Sequence, residues 1–251
     1  MHGTSGRARA CPALSEVFFD AGGTILNVRG SVGEVYAAAA ARRGHPVDAA
    51  AVDRAFRSAW SRSLLRRREA RYLSTDDVLR EEWRRIVEDS FDGLVPREVA
   101  RDAFEELYDH FSGPEPWVVA DGAVEAFAAL RSDGLRLGIL SNWDSRLVEC
   151  LERLGLAGFF DHLVISYRVG VEKPHPRIFE EAARVAGVPP STLLMVGDSL
   201  EQDILPARRL GWRTLWISHE KGGRAEIDRV ESFRETLERI RNINAGSPSG
   251  P

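Results

Sequence analysis

Lysine is almost missing from this chain of 251 residues. It occurs only at Lys173 and Lys221, so arginine carries nearly all the positive charge. With abundant alanine, that bias points to a GC-rich coding sequence, and it marks Lys173 as a residue with a specific task. Cysteine is as sparse: Cys11 and Cys150 form no ligand or redox spacing, which excludes a disulfide framework and leads us to expect a reduced, cytoplasmic setting. No apolar run approaches the roughly 18–20 residues that span a bilayer, so no membrane partner is expected. The first dozen residues lack the apolar stretch of a signal peptide. An excess of positive charge is missing too. The formal net charge of -4 argues against a nucleic-acid surface. His45, His110, His162 and His175 show no metal-ligand spacing.

What is present is a hydrophobic fraction of 43%, enough for a sizeable core. Residues 15–19 form a short apolar run that ends on Asp20, followed by the turn Ala21-Gly22-Gly23-Thr24. From about residue 31 to 110 helical periodicity dominates, as in Val32, Val35, Tyr36 and Ala39 and again in Val52, Phe56, Trp60 and Leu64. Further helices are expected near 75–91 and 97–111, and Gly113-Pro114-Glu115-Pro116 reads as a hinge. Beyond it strands alternate with helices. A helix over 121–131 with Asp121 as its N-cap precedes a strand over 135–140, a helix over 146–154 and a strand over 163–166. Helix 176–185, strand 193–196, helix 201–210, strand 214–217 and a last strand and helix over 229–241 follow. Such alternation predicts a doubly wound, Rossmann-like α/β fold whose parallel sheet is covered on both faces. Ligands in these sheets sit beyond the carboxyl ends of the strands. The expected division is a core over 14–29 and 117–242, a small helical cap over 30–116, and disordered tails over 1–13 and 243–251.

Four segments carry the chemistry. Phe18-Phe19-Asp20-Ala21-Gly22-Gly23-Thr24 resembles the DxDGT motif of the haloacid dehalogenase superfamily, and Ile139-Leu140-Ser141-Asn142 resembles its strand ending in Ser or Thr. Lys173-Pro174, with Pro176 and Phe179, resembles its lysine before a helix. Val196-Gly197-Asp198-Ser199, with Asp203 beyond, resembles its GDxxxxD motif. A lone GD or KP means little, but four in order over nearly the whole chain are specific, and the helical insert falls where that superfamily places a small cap.

The resemblance implies a Mg²⁺-dependent hydrolase that removes phosphate from a small phosphorylated metabolite, with a monomer and a homodimer both open. Asp20 is then the nucleophile that forms an aspartyl-phosphate. Asp20, Asp198 and the Gly22 carbonyl are the metal ligands, an oxygen shell that suits Mg²⁺. Lys173 offsets the charge on Asp20 and on the phosphoryl group, and Ser141 donates its hydroxyl to a phosphoryl oxygen. The Asn142 amide adds a second donor, with Gly23 and Thr24 beside the same group. Asp203 orients Lys173 or a metal-bound water.

One departure stands out. Phosphatases of the superfamily carry a second Asp where this chain has Gly22, and that acid protonates the leaving oxygen, a service worth roughly 10²–10⁴-fold. Three outcomes are open: a cap residue substitutes, the leaving group is good, or the protein is a poor enzyme that binds a phosphorylated ligand. Hydrolytic 2-haloacid dehalogenases also lack that Asp but need no Mg²⁺. Phosphonate-cleaving relatives use a cap lysine, and residues 30–116 contain none. The basic run from Arg62 to Arg71 fits a solvated helix face better than an anion site. Trp60, Trp83 and Trp117 are expected in the core, whereas Trp143 and Asp144, directly after the second motif, are candidates for the pocket wall.

Overall fold

Residues 13–219 and 226–245 are described by the computed structural model. Six parallel strands form the central sheet: β1 (Glu16–Phe19), β4 (Arg136–Ser141), β5 (His162–Ile165), β6 (Leu193–Gly197), β7 (Arg213–Ile217) and β8 (Arg229–Val230), in the order β5-β4-β1-β6-β7-β8. The run of apolar residues in each strand follows from burial on both faces. Val17 and Phe19 pack on one face with Phe127, Leu151 and Phe233, while Phe18 packs on the other with Phe179, Met195 and Trp212. Helices α5 (Ala123–Ser132), α6 (Arg146–Arg153) and α10 (Phe233–Asn244) cover the first face, and α8 (Pro176–Ala186) and α9 (Leu205–Arg209) the second. The single turn α7 (Ser166–Val169) follows β5. The fold is the α/β class expected. Its switch point lies at β1, from which the chain builds outward through β4 and β5 and then through β6, β7 and β8.

Between Arg29 and Pro116 lie four helices: α1 (Val32–Arg42), α2 (Ala49–Glu69), α3 (Asp76–Phe91) and α4 (Arg97–His110). Their starts are legible in the sequence. Ser31 and Glu34 form a reciprocal capping box, and the side chains of Asp48 and Thr75 accept from the first-turn amides of α2 and α3. The four helices enclose their own core around Tyr36, Phe91, Phe104 and Leu107. Where the chain leaves and re-enters the sheet domain it forms an antiparallel pair, β2 (Leu26–Val28) with β3 (Trp117–Val119). The Arg29 amide donates to the Pro116 carbonyl at 2.7 Å, so both connectors to the helical insert run side by side.

Three local expectations need correction. Asp121 does not cap α5; the N-cap is Gly122 at φ 77, a conformation an L side chain rarely adopts. The helix expected over 201–210 begins as a π-helical turn over Leu200–Ile204 before α9. Residues 243 and 244, assigned to the tail, form the last turn of α10, where Asn244 Oδ1 accepts from the Leu14 amide at 2.8 Å. Residues 1–12 and 246–251 of the expected tails, with Cys11, lie outside the described residues, as does Lys221. Among the described residues no helix is long and apolar enough to cross a membrane.

Candidate active site

The three central strands β4, β1 and β6 end side by side, and each ends at a motif residue: Ser141, Asp20 and Asp198 respectively. Asp20 continues the sheet register, its amide donating to the Val196 carbonyl at 2.9 Å. Lys173 arrives from the loop after α7 and is almost fully buried. Its Nζ donates to Asp20 Oδ1 at 2.7 Å and to Asp203 Oδ1 at 2.6 Å. Burial alone would lower the ammonium, but the two carboxylates more than reverse that and hold it above the ordinary lysine value. A buried charge needs such pairing to persist.

Asp203 is spent on this arrangement. Its second oxygen, Oδ2, accepts from the Ser199 amide at 3.0 Å, so it braces the lysine from inside the turn that carries Asp198. Gly197 permits the approach, because a Cβ there would collide with the Asp203 side chain. Asn142 braces the lysine from the other side. Its Oδ1 accepts from the Lys173 amide at 2.6 Å and its Nδ2 donates to the Lys173 carbonyl at 2.9 Å. The side chain of Asn142 therefore serves the loop, leaving only its main-chain N–H for the donor role expected of it.

Carboxylate oxygens of Asp20, Asp198 and Asp203 lie within 4.8 Å of one another. With both oxygens of Asp203 engaged, Asp20 and Asp198 are the two that can turn toward a cation. Thr24 Oγ1 donates to Asp198 Oδ1 at 3.2 Å, and Trp216 Nε1 donates to the Asp198 carbonyl at 2.8 Å. Gly23, at φ 82, is required here twice over. Its backbone sits in the left-handed region, and a Cβ would lie 2.5 Å from Asp198 Oδ2. Two adjacent carboxylates are hard oxygen donors of the kind that hold Mg²⁺. Burial and the adjacent Asp20 carboxylate raise Asp198 to about 6. Burial, opposed by Lys173, raises Asp203 to about 7.

Asp20, Gly22, Ser141, Asn142 and Lys173 line a cavity of about 210 Å³ that extends up to the helical insert. From the insert, Trp60 and Arg67 on α2 and Leu79, Glu82, Trp83 and Ile86 on α3 complete its wall. Trp60 and Trp83, expected as core, are walls of this cavity, because the insert's helices meet the sheet domain at that face; Trp117 belongs to the core, as expected, and borders the cavity as well. Trp143 and Asp144 line it as well; Asp144 is fully buried and held by Arg146 at 2.6 Å. Arg67 overturns the solvated-face reading for its own position. It is nine-tenths buried, pairs with Glu172 at 3.1 Å and stacks over Trp60. Glu82 and Gln202 went unnoticed in the sequence. Glu82 alone carried a signal, as the one charge on a stripe formed by Leu79, Trp83 and Ile86 at helical spacing.

The insert also fixes the lysine loop. The Glu172 amide donates to the Tyr72 carbonyl at 2.9 Å, and the Ser74 and Ser166 hydroxyls bond at 2.9 Å. His175 accepts from the Arg177 amide and caps α8, a structural task.

The profile of the haloacid dehalogenase-like hydrolases matches residues 17–211. The chain belongs to this family. It is similar to the bovine (Bos taurus) haloacid dehalogenase-like hydrolase domain-containing protein 3, at 33% identity over 205 residues covering 80% of each chain. A glyceraldehyde 3-phosphate phosphatase of Pyrococcus abyssi is 34% identical over 134 residues, 50% of this chain and 56% of that one. An L-2-haloacid dehalogenase from Xanthobacter autotrophicus with chloropropionic acid covalently bound shares the fold, with a TM-score of 0.67 at 20% identity over 92% of this chain and 99% of that one. The family assignment makes the protein a hydrolase and accounts for the order of the four motifs.

Proposed function

We propose that this hydrolase removes the phosphoryl group from a small phosphorylated molecule with the help of Mg²⁺, Asp20 acting as nucleophile. The observation that carries the reading is the shared ammonium of Lys173 between Asp20 and Asp203, beside the carboxylate of Asp198. A phosphate ester repels an anionic nucleophile; the Lys173 ammonium offsets part of that repulsion, and the excess of carboxylates calls for a cation to offset the rest. Bound Mg²⁺ would add Lewis-acid charge at the phosphoryl oxygens, held by Asp20, Asp198 and the Gly22 carbonyl. Asp20 attacks phosphorus, the ester bond breaks and an aspartyl-phosphate forms; water then releases phosphate and restores the carboxylate. Ser141, almost fully buried at the end of β4, donates to a phosphoryl oxygen, and Lys173 keeps its proton throughout. Residues 30–116 act as the cap that closes over the substrate and excludes water. Phosphatase-named relatives favour this reading over a dehalogenase.

Phosphate release from acetyl or p-nitrophenyl phosphate is the test. It is expected with Mg²⁺ and lost in EDTA. Turnover of 2-chloropropionate that ignores EDTA would instead identify a dehalogenase, and Mg²⁺-dependent binding of phosphate without turnover would identify a binding protein.

The raised carboxyls add a second test. In the metal-free fold Asp198 holds its proton up to about pH 6 and Asp203 up to about pH 7, whereas the unfolded chain releases both at about pH 4. Their contribution to stability is therefore present at low pH and lost as pH rises through about 6 to 7. Mg²⁺ requires the ionised forms and reverses the trend. The thermal midpoint in EDTA is expected to fall between about pH 5.5 and 7.5, with stabilisation by Mg²⁺ greatest at the upper end. A midpoint in EDTA that climbs across that interval, with no Mg²⁺ effect, contradicts the assignment.

A further inference from the structure

A second cavity, of about 310 Å³, lies beside the first, with Gly23 in its lining. The two share four walls, Trp60, Trp83, Trp117 and Trp143, so the larger space adjoins the catalytic one across these rings. Tyr36 and Phe56 continue its lining into the insert. Its size falls in the range of small-molecule pockets, roughly 300–1,000 Å³. Side chains that merely filled a core would interdigitate to crystal-like density and leave no space of this volume.

The lining also says what the space does not accept. Among its residues only Arg146 is charged, and that guanidinium is spent: it bonds both oxygens of Asp144 at 2.8 and 2.6 Å and lies 3.6 Å over the Tyr108 ring. A sugar placed here would lose hydration at several hydroxyls and find few partners. A flat conjugated ring would meet aromatic faces instead, with edge and offset contacts available on several sides.

The missing acid at Gly22 points the same way from independent ground. Trp143 occupies the space beside it, its Cζ3 being 3.3 Å from where a Cβ would stand. A leaving oxygen that receives no proton must depart as an anion, and an aromatic ring stabilises that anion by delocalisation. We infer that the substrate is an aryl phosphate, whose ring occupies the aromatic cavity while its phosphoryl group meets Asp20; this rests on the phosphatase reading above. The P–O(aryl) bond breaks with its electron pair going to the aryl oxide, which takes a proton from water after release. Water then adds to phosphorus, the P–O(Asp20) bond breaks, and phosphate leaves.

Acetyl, phenyl and 2-naphthyl phosphate with Mg²⁺ provide the test. Phenol and 2-naphthol are similar leaving groups, so their comparison reads the cavity rather than the chemistry. The naphthyl ester is expected to exceed the phenyl ester roughly ten-fold in kcat/KM, mostly through KM, as a second ring is buried. Val32 lines the cavity from the start of α1, half-buried. V32F is expected to lower the ratio of naphthyl to acetyl efficiency about ten-fold. In the unmodified protein, 2-naphthol should quench the tryptophan fluorescence saturably, which requires no turnover. Acetyl phosphate hydrolysed normally with equal phenyl and naphthyl efficiencies, or no quenching by 2-naphthol, overturns the aryl assignment and leaves the phosphatase reading standing. Inert acetyl phosphate overturns that reading instead, and the quenching titration then decides the cavity alone.

Discussion

Replacing Lys173 by methionine is expected to lower phosphatase kcat by at least about 10³-fold, the scale seen when a single preorganised charge donor is removed from a reacting oxyanion. The side chain is nearly isosteric, so the loss reports charge rather than volume. Among the described residues Lys173 is the one cation hydrogen-bonded to Asp20, and its Nζ lies within 2.7 Å of both Asp20 and Asp203. Its removal leaves two carboxylates facing each other in a buried setting. Breaking a buried pair in this way costs about 3–5 kcal/mol, moderated as the carboxyls take up protons. The thermal midpoint should therefore drop as well, and drop less at low pH. Asp20→Asn separates the two effects: it removes the nucleophile, with a fall of roughly 10⁴-fold or more, yet relieves the crowding of acids and should keep the fold. A Lys173→Met protein within ten-fold of the parent rate would contradict the role of the ammonium.

The second large change runs upward. Gly22→Asp is expected to raise turnover of alkyl phosphates such as glycerol phosphate by about 10²-fold, the lower part of the range for general acid–base help. Unlike Gly23, Gly22 is not in the left-handed region, so an aspartate adopts its backbone without strain. The obstacle is Trp143, whose ring must shift by a few tenths of an ångström. Esters that leave well unaided should gain far less, because the proton they receive is not needed in the slow step. The informative quantity is the alkyl-to-aryl rate ratio, measured with Mg²⁺. A ratio that does not move would show that the acid function already resides elsewhere on the wall of the cavity, Glu82 on α3 being the carboxylate from the insert that lines it.

The convergence of the motif residues on one sheet edge was legible in the sequence because each of them is placed locally. Asp20, Ser141 and Asp198 each follow an apolar run, and parallel pairing of β4, β1 and β6 carries three such run-ends to one edge with no further instruction. Lys173 stood out by composition, and its placement between two acids satisfies a buried charge that has no other solution. The same locality explains the failures at the boundaries. Gly122 rather than Asp121 starts α5, and the turn after Asp198 is π-helical, because those choices depend on backbone angles that residue type constrains weakly.

Beyond Trp143 and Asp144, the wall of the cavity above the strand ends was not legible. Trp60 and Trp83 read as core because an aromatic residue at helical spacing looks the same whether its face meets a neighbouring helix or an empty pocket. Only the docking of α2 and α3 over the sheet edge decided which, and that docking depends on contacts far apart in the chain, such as Arg67 with Glu172 and Asp76 with the Ser145 amide. Sequence alone marked Asp20, Lys173 and Asp198 as candidates and set the alternation of strands with helices that makes a parallel sheet. Tertiary packing decided the shape and polarity of the space above them, since a cavity is a property of surfaces that meet and no single segment encodes it.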